Sequence, residues 1–186
     1  MKIAVFCGSG AGANPIFTKE AQRLGRLLVD AGHELVYGGG KTGLMGVIAD
    51  TVLEEGGNVY GVMPLALKER EIEHKGVTEL FIVADMHERK AKMAELADAF
   101  IAMPGGIGTL EEIFEIWTWG QLGYHQKACG FLNVDGYYNQ LLGFINTVVK
   151  QEFMKPEYAN MMQVSTDPAE LLDMLRHYEA PQEKWS

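Results

Sequence analysis

The chain has 186 residues, 47% of them hydrophobic, and a formal net charge of −9. That length suits a single domain with a real buried core. The acidic balance argues against a nucleic-acid groove but leaves room for a small phosphorylated ligand held by a few local donors.

Residues 2–7 read as a short apolar strand running into Gly8-Ser9-Gly10-Ala11-Gly12-Ala13. Asn14 then caps a helix that opens at Pro15 and stops near Gly32. A second strand over 34–37 leads into Gly38-Gly39-Gly40-Lys41-Thr42-Gly43, and a second helix ends near Glu55. The third strand spans 58–63 and is stopped by Pro64; residues 64–78 are charged and irregular. A fourth strand covers 79–83, and Asp85 caps a helix to about residue 97. A fifth, 99–103, enters Pro104-Gly105-Gly106-Ile107-Gly108. The helix beginning at Thr109 ends near Gly123 and is followed by a strand over 127–134 and a helix over 137–151. A short strand at 161–164 and a helix from Pro168 to Tyr178 close the pattern. Apolar strands alternating with helices define a doubly wound, Rossmann-like parallel α/β sheet with helices on both faces. Ligands of such sheets lie beyond the carboxyl ends of the strands, and the three glycine-rich turns fall there.

The two cysteines, Cys7 and Cys129, sit in apolar runs without metal or redox spacing, as buried thiols of a reducing compartment do. The five histidines never pair at helical spacing, so no metal site is expected. No charge-free apolar run reaches membrane-spanning length, and the first residues do not form a signal peptide. A cytoplasmic protein without membrane partners is the expectation.

Two motifs mislead. Gly8-Ser-Gly10-Ala-Gly-Ala13 approaches the dinucleotide fingerprint, but Tyr37 and glycines occupy the place where an acid would hold the ribose hydroxyls. Gly40-Lys41-Thr42 resembles the end of a P-loop whose first glycine would fall at Leu35.

The turn at 104–108 carries more chemistry. Glycines let backbone amides approach a phosphate, and a helix N-terminus supplies unsatisfied donors with partial positive charge. Thr109-x-x-Glu112 also fits a capping box, in which Glu112 merely starts the helix. Three glycines, a proline and the adjacent Glu111 exceed what a cap needs. In the helix after Asp85, Arg89 and Lys90 share the face of Met86, Met93, Leu96 and Ala97. Cations on an apolar stripe mark a functional site, unless both snorkel to solvent.

Asp85-Met-His-x-Arg89-Lys90 followed by Pro104-Gly-Gly-x-Gly-Thr-x-x-Glu112 resembles the LOG ("Lonely Guy") family of cytokinin riboside 5′-monophosphate phosphoribohydrolases, often mislabelled as lysine decarboxylases. The likeness extends through Thr118-Trp-x-Gln-Leu-Gly123 and Asn133-Val-Asp-Gly-Tyr-Tyr138. It implies hydrolysis of the N-glycosidic bond of a nucleoside 5′-monophosphate to free base and ribose 5-phosphate, without cofactor. Arg89 and Glu112 would be the catalytic pair. Gly106, Ile107, Gly108 and Thr109 would hold the 5′-phosphate, with Gly105 and Glu111 as further substrate-binding residues beside them. Lys90, Glu71 and Thr118 would contribute substrate contacts, and Gly8, Ser9, Gly39 and Gly40 would line the pocket. The family runs Pro-Arg-Glu-Leu where this chain has Glu69-Arg70-Glu71-Ile72. A carboxylate near C1′ suits the oxocarbenium-like charge of glycoside cleavage, and the helix N-terminus favours the ionised acid. The resemblance further implies a homodimer or larger homo-oligomer. The helix 109–122, with Ile113, Phe114, Ile116, Trp117 and Trp119, carries more apolar surface than one sheet face covers, which points the same way. A nucleotide-binding sensor without chemistry is the rival reading.

Overall fold

Strands that are apolar along their whole length must be covered on both faces, and a computed structural model describing residues 1–68 and 73–181 shows how. Among the described residues, β1 (Lys2–Phe6), β2 (Glu34–Tyr37), β3 (Val59–Pro64), β4 (Glu79–Val83), β5 (Ala99–Ala102), β6 (Ala128–Leu132) and β7 (Met162–Ser165) form one sheet. All pair in parallel, in the order β4-β3-β2-β1-β5-β6-β7. The chain walks outward from β1 to β4, then returns to lay β5 against β1, with Phe6 opposite Ala102. The strand order therefore reverses between β1 and β5, the doubly wound arrangement the sequence predicts.

Side chains alternate across the sheet. Ile3 and Val5 face a layer containing Leu24 and Leu28 of α1 (Ile16–Asp30), Ile48 and Val52 of α2 (Gly43–Glu54), and Leu171 of α8 (Pro168–Arg176). Ala4 and Phe6 face the opposite layer. There Met93 of α4 (Met86–Leu96), Ile113 and Trp117 of α5 (Ile107–Gln121) and Ile145 of α6 (Asn139–Lys150) pack together. Each large apolar side chain so buried stabilises by about 1.5–3 kcal/mol, well above any single cap. The Trp117 indole leaves no unmet donor, since Nε1 donates to the Tyr158 carbonyl at 2.9 Å.

The helix starts follow local chemistry. Helix α1 starts at Ile16 with Pro15 in the N-cap place and no side-chain cap of its own; Asn14, expected as the cap, lies one residue earlier and its side chain accepts from the Ile16 amide at 3.1 Å. Asp85 accepts from His87 and Glu88 amides at 2.8 and 2.9 Å, and Glu88 reaches back to the Ala84 amide at 2.8 Å. This start of α4 approaches a capping box, with the returning bond one residue before the cap. Helix α5 begins at Ile107 rather than Thr109, with Gly106 as its N-cap and no side-chain cap bond. Thr109 is consequently the third helical residue and is buried, and the capping-box register does not apply.

Four further details differ. Pro64 belongs to β3, opposite Val83, and lies beyond Gly61, the last residue of β3 paired with β2, so it interrupts no pairing on that side. The span read as irregular contains a single-turn helix, α3 (Leu65–Lys68). Between β6 and α6 the chain makes a 3-10 turn over Val134–Gly136 in which Asp135 is left-handed at φ 51°. A short α7 (Pro156–Ala159) precedes β7. The surplus apolar face expected of α5 is largely covered within the chain. Ile113, Ile116 and Trp117 are buried, Phe114 stacks on Trp117, and Trp119 packs partly buried against the same layer.

Candidate active site

The site begins where β5 ends. Its strand hands over to Pro104-Gly105-Gly106, and every carbonyl from 103 to 106 is already engaged. The Met103 carbonyl accepts from the Tyr138 hydroxyl at 2.6 Å, and Pro104 from the Gly8 amide at 3.1 Å. The Gly105 carbonyl accepts from the Tyr137 hydroxyl at 2.6 Å, and Gly106 from the Leu110 amide at 3.2 Å. With the oxygens tied back, the leading amides of α5 are left for an anion, at the positive end of the helix. Gly105 has to be glycine because a Cβ there would overlap Thr109 Oγ1 and come within 2.8 Å of the Gly8 nitrogen.

Opposite stands Arg89 of α4. That helix is fixed at its start by Asp85 and at its end by Lys127, whose ammonium donates to the Ala94 and Ala97 carbonyls at 2.7 and 2.6 Å. Arg89 points into the protein and is 7% exposed, so it does not snorkel. Its Nε donates to the Val62 carbonyl at 3.1 Å and Nη2 to the Gly38 carbonyl at 3.2 Å. Its Nη1 lies 3.5 Å from Glu112 Oε1. The guanidinium is thus held by backbone at the ends of β2 and β3 and presents its remaining edge to the carboxylate of α5.

Arg89 and Glu112 share a cavity of about 330 Å³ with Cys7, Gly8, Ser9, Met45, Met86, Gly106, Ile107, Gly108, Thr109 and Glu111. An adjoining cavity of about 360 Å³ also borders Gly8, Ser9 and Gly106 and adds Phe17, Leu44, Gly105 and Tyr137. Burial, and then the negative charge of Glu112, push the Cys7 thiol well above its usual range, so a neutral thiol faces the ligand space. A larger cavity of about 660 Å³ lies at Glu157, Asp173, His177 and Glu179. It is walled by acids, and size alone does not make it the site.

Most of the residues singled out from sequence therefore meet. Gly8, Ser9, Gly105 to Thr109, Glu111, Arg89 and Glu112 line the two cavities. Lys90 does not. It is buried between α4 and α5, with its ammonium 2.6 Å from Glu111 Oε1 and 2.7 Å from Glu115 Oε2. Burial pulls its pKa down, but hydrogen bonds and charge from the two glutamates outweigh that and leave it raised. Gly39 and Gly40 line neither cavity; the Gly39 carbonyl accepts from the His74 amide at 3.1 Å and Gly40 bridges Glu73. Thr118 is exposed farther along α5, its hydroxyl donating to the Phe114 carbonyl at 2.7 Å. Glu71 lies outside the described residues. Sequence reasoning missed Met45, Met86 and Tyr137. The first two read as core, and only their places in the first helical turns after Thr42 and Asp85 set them apart.

A doubly wound sheet with amides, a guanidinium and a carboxylate around one cavity at its switch point defines an α/β protein for a small anionic ligand of nucleotide size. A family model described as "Possible lysine decarboxylase" matches residues 45–175. The cytokinin riboside 5′-monophosphate phosphoribohydrolase LOG7 of Arabidopsis thaliana is 49% identical over 178 residues, covering 96% of this chain and 82% of its own length. The probable cytokinin riboside 5′-monophosphate phosphoribohydrolase LOGL6 of Oryza sativa subsp. japonica is 48% identical over 183 residues, covering 98% and 73%. The molybdenum cofactor carrier protein of Chlamydomonas reinhardtii superposes with a TM-score of 0.73 at 19% identity, over 94% of this chain and 95% of that one; this likeness concerns the fold alone. The chain belongs to the LOG family of cytokinin riboside 5′-monophosphate phosphoribohydrolases.

Proposed function

We propose that this protein hydrolyses the N-glycosidic bond of a nucleoside 5′-monophosphate, a cytokinin riboside 5′-monophosphate or AMP, to free base and ribose 5-phosphate. The observation that carries this reading is the meeting of Arg89 and Glu112, 3.5 Å apart, in the cavity that the first turn of α5 opens onto. The amides from Gly106 to Thr109 hold the phosphate. One turn farther along the same helix, Glu112 faces the ribose. As the bond to the base lengthens, positive charge gathers on C1′ and the ring oxygen. The Glu112 carboxylate stabilises that charge and aligns a water toward C1′. Arg89 keeps the carboxylate in place and contacts the ribose phosphate. Binding energy from the distant phosphate then serves the reaction at C1′. Lys90 acts through Glu111 and Glu115, and Glu71 and Thr118 are proposed as further substrate contacts.

The lysine decarboxylase description of the family model suggests another chemistry, which requires a lysine amine for a pyridoxal Schiff base. Among the described residues, the two cavities have no lysine in their walls, and this favours the hydrolase. A homodimer or larger homo-oligomer is a further part of the proposal. It is supported by Ile107 and Met86, 81% and 40% exposed at the mouth of the cavity. Buried free thiols at Cys7 and Cys129 suit a cytoplasmic location.

The test is incubation of purified protein with AMP, with isopentenyladenosine monophosphate and with the corresponding unphosphorylated nucleosides. Free base and ribose 5-phosphate should form from the monophosphates, and the nucleosides should react far more slowly. Tight binding of the monophosphates without release of base would overturn the hydrolase in favour of a sensor.

A further inference from the structure

The Asn133–Tyr138 turn has no part in the chemistry above, yet it touches both glycine loops. Asp135 Oδ2 accepts from Asn14 Nδ2 at 3.0 Å, and the Tyr137 ring meets Phe17 edge-on at 5.6 Å. Asn133 holds the turn itself, its side-chain oxygen accepting from the Tyr138 amide at 2.7 Å. The two tyrosines then reach the phosphate turn, Tyr138 at the Met103 carbonyl and Tyr137 at the Gly105 carbonyl, each at 2.6 Å.

These two bonds have different consequences. In a trans peptide the carbonyl and the following N–H point in opposite directions, and the described residues contain no cis bond. Met103 is followed by proline, so fixing its carbonyl aims no donor. Gly105 is followed by Gly106, whose N–H is the first of the orphan donors at the start of α5. A peptide between two glycines has no Cβ on either side to resist rotation. If it turned over, the Gly105 oxygen would take the place of the Gly106 donor and repel a bound anion. The Tyr137 hydroxyl prevents that exchange. Although Tyr137 is 46% exposed, its ring is held by Phe17 on one side and by Tyr138 at 4.9 Å on the other.

We propose that Tyr137 is a positioning residue for phosphate: its hydroxyl locks the Gly105–Gly106 peptide with the N–H toward the ligand. This rests on the phosphate-binding part of the proposed function, but not on turnover. The test compares Tyr137→Phe, which removes only the hydroxyl, with Tyr138→Phe. Calorimetry with ribose 5-phosphate and with inorganic phosphate measures binding directly, and steady-state rates with AMP give kcat and KM. In Tyr137→Phe, both dissociation constants and the KM should rise about fivefold, the effect of one hydrogen bond. Its urea midpoint should stay close to wild type, and kcat should fall by no more than the phosphate dissociation constants rise. Tyr138→Phe, whose hydroxyl holds a carbonyl that aims no donor, should lower the urea midpoint and weaken phosphate binding clearly less than Tyr137→Phe does. Unaltered phosphate binding in Tyr137→Phe, or equal weakening in both variants, overturns the proposal. Should the wild type bind ribose 5-phosphate but release no base, weaker binding in Tyr137→Phe still supports the lock while the hydrolase reading fails.

Discussion

Replacing Gly38 by alanine tests the site without touching either reactive side chain. A Cβ at Gly38 would overlap Arg89 Nη2 and lie 3.3 Å from its Cζ and 3.1 Å from Met45 Sδ. Contact distances are about 3.5–4.0 Å, so the guanidinium must retreat by about 1 Å or more. Met45 blocks one way out, and the Val62 carbonyl holds Nε on the other side. Displacement on that scale costs about 100-fold in rate when the moved group must meet a reacting centre. The stability cost is smaller: losing the charged bond to the Gly38 carbonyl amounts to about 2 kcal/mol. For a chain of this size that lowers Tm by about 4–8 °C. The assay is the initial rate of adenine release from AMP, alongside circular dichroism and thermal melts. Arg89→Ala and the Gly38→Ala/Arg89→Ala double variant complete a cycle, and the double variant should be no slower than Arg89→Ala alone. If Gly38→Ala keeps kcat/KM within about threefold of wild type, less than 1 kcal/mol of transition-state stabilisation has been lost. The position of Arg89 would then not control the reaction.

Three other outcomes follow from the same geometry. Glu112→Gln preserves shape and removes charge; a carboxylate about 4 Å from a unit positive charge is worth about 4 kcal/mol at an effective dielectric of about 20, so kcat should fall about 10³-fold with AMP binding retained by calorimetry. Lys90→Met leaves Glu111 and Glu115 facing each other, and because Glu111 is half exposed the cost should be about 1–2 kcal/mol in urea unfolding at neutral pH. The Lys90 pKa is raised in the folded state, so its contribution is present below the ordinary lysine range and is lost as pH rises through the raised value; the gap between wild type and Lys90→Met should therefore close in alkali. Asp167 accepts from Arg23 and from the Glu170 and Ala169 amides, which lower its pKa, the Arg23 bond most. Its contribution is present above the ordinary carboxylate range and fades as pH falls through the depressed value, so Asp167→Asn, which keeps a capping side chain, should flatten the acid limb of the unfolding midpoint between about pH 5 and pH 2.

The strands and the cap at Asp85 were legible in the sequence because each rests on a local signal, an apolar run or a side chain beside its amides. The start of α5 was not. Gly106-Ile107-Gly108 has poor intrinsic helix propensity, and Thr109-x-x-Glu112 has the spacing of a cap whether or not it is one. What places the helix start is tertiary: Thr109 packs against Gly105, and the carbonyls before it are held by Gly8, Tyr137 and Tyr138. Arg89 and Lys90 stood out as cations on an apolar stripe, but the pattern treated them alike. Burial separates them, since Arg89 lies under the strand ends while Lys90 is taken up by the acids of the neighbouring helix. That Arg89 and Glu112 form a pair was legible only through the resemblance their two motifs carry; the order of the sheet is what brings them together.

That order has a consequence for assembly of the protein. Arg89 and the loop after β1 belong to the part of the chain completed before β5, and Glu112 to the part that follows. Until Phe6 finds its register against Ala102, the arginine has no acid across from it and the phosphate turn lacks its anchor at Gly8. Activity therefore reports on closure of the whole sheet: a fragment ending before α5 would be inert, and a ligand spanning the seam would clasp the early and late portions of the chain together.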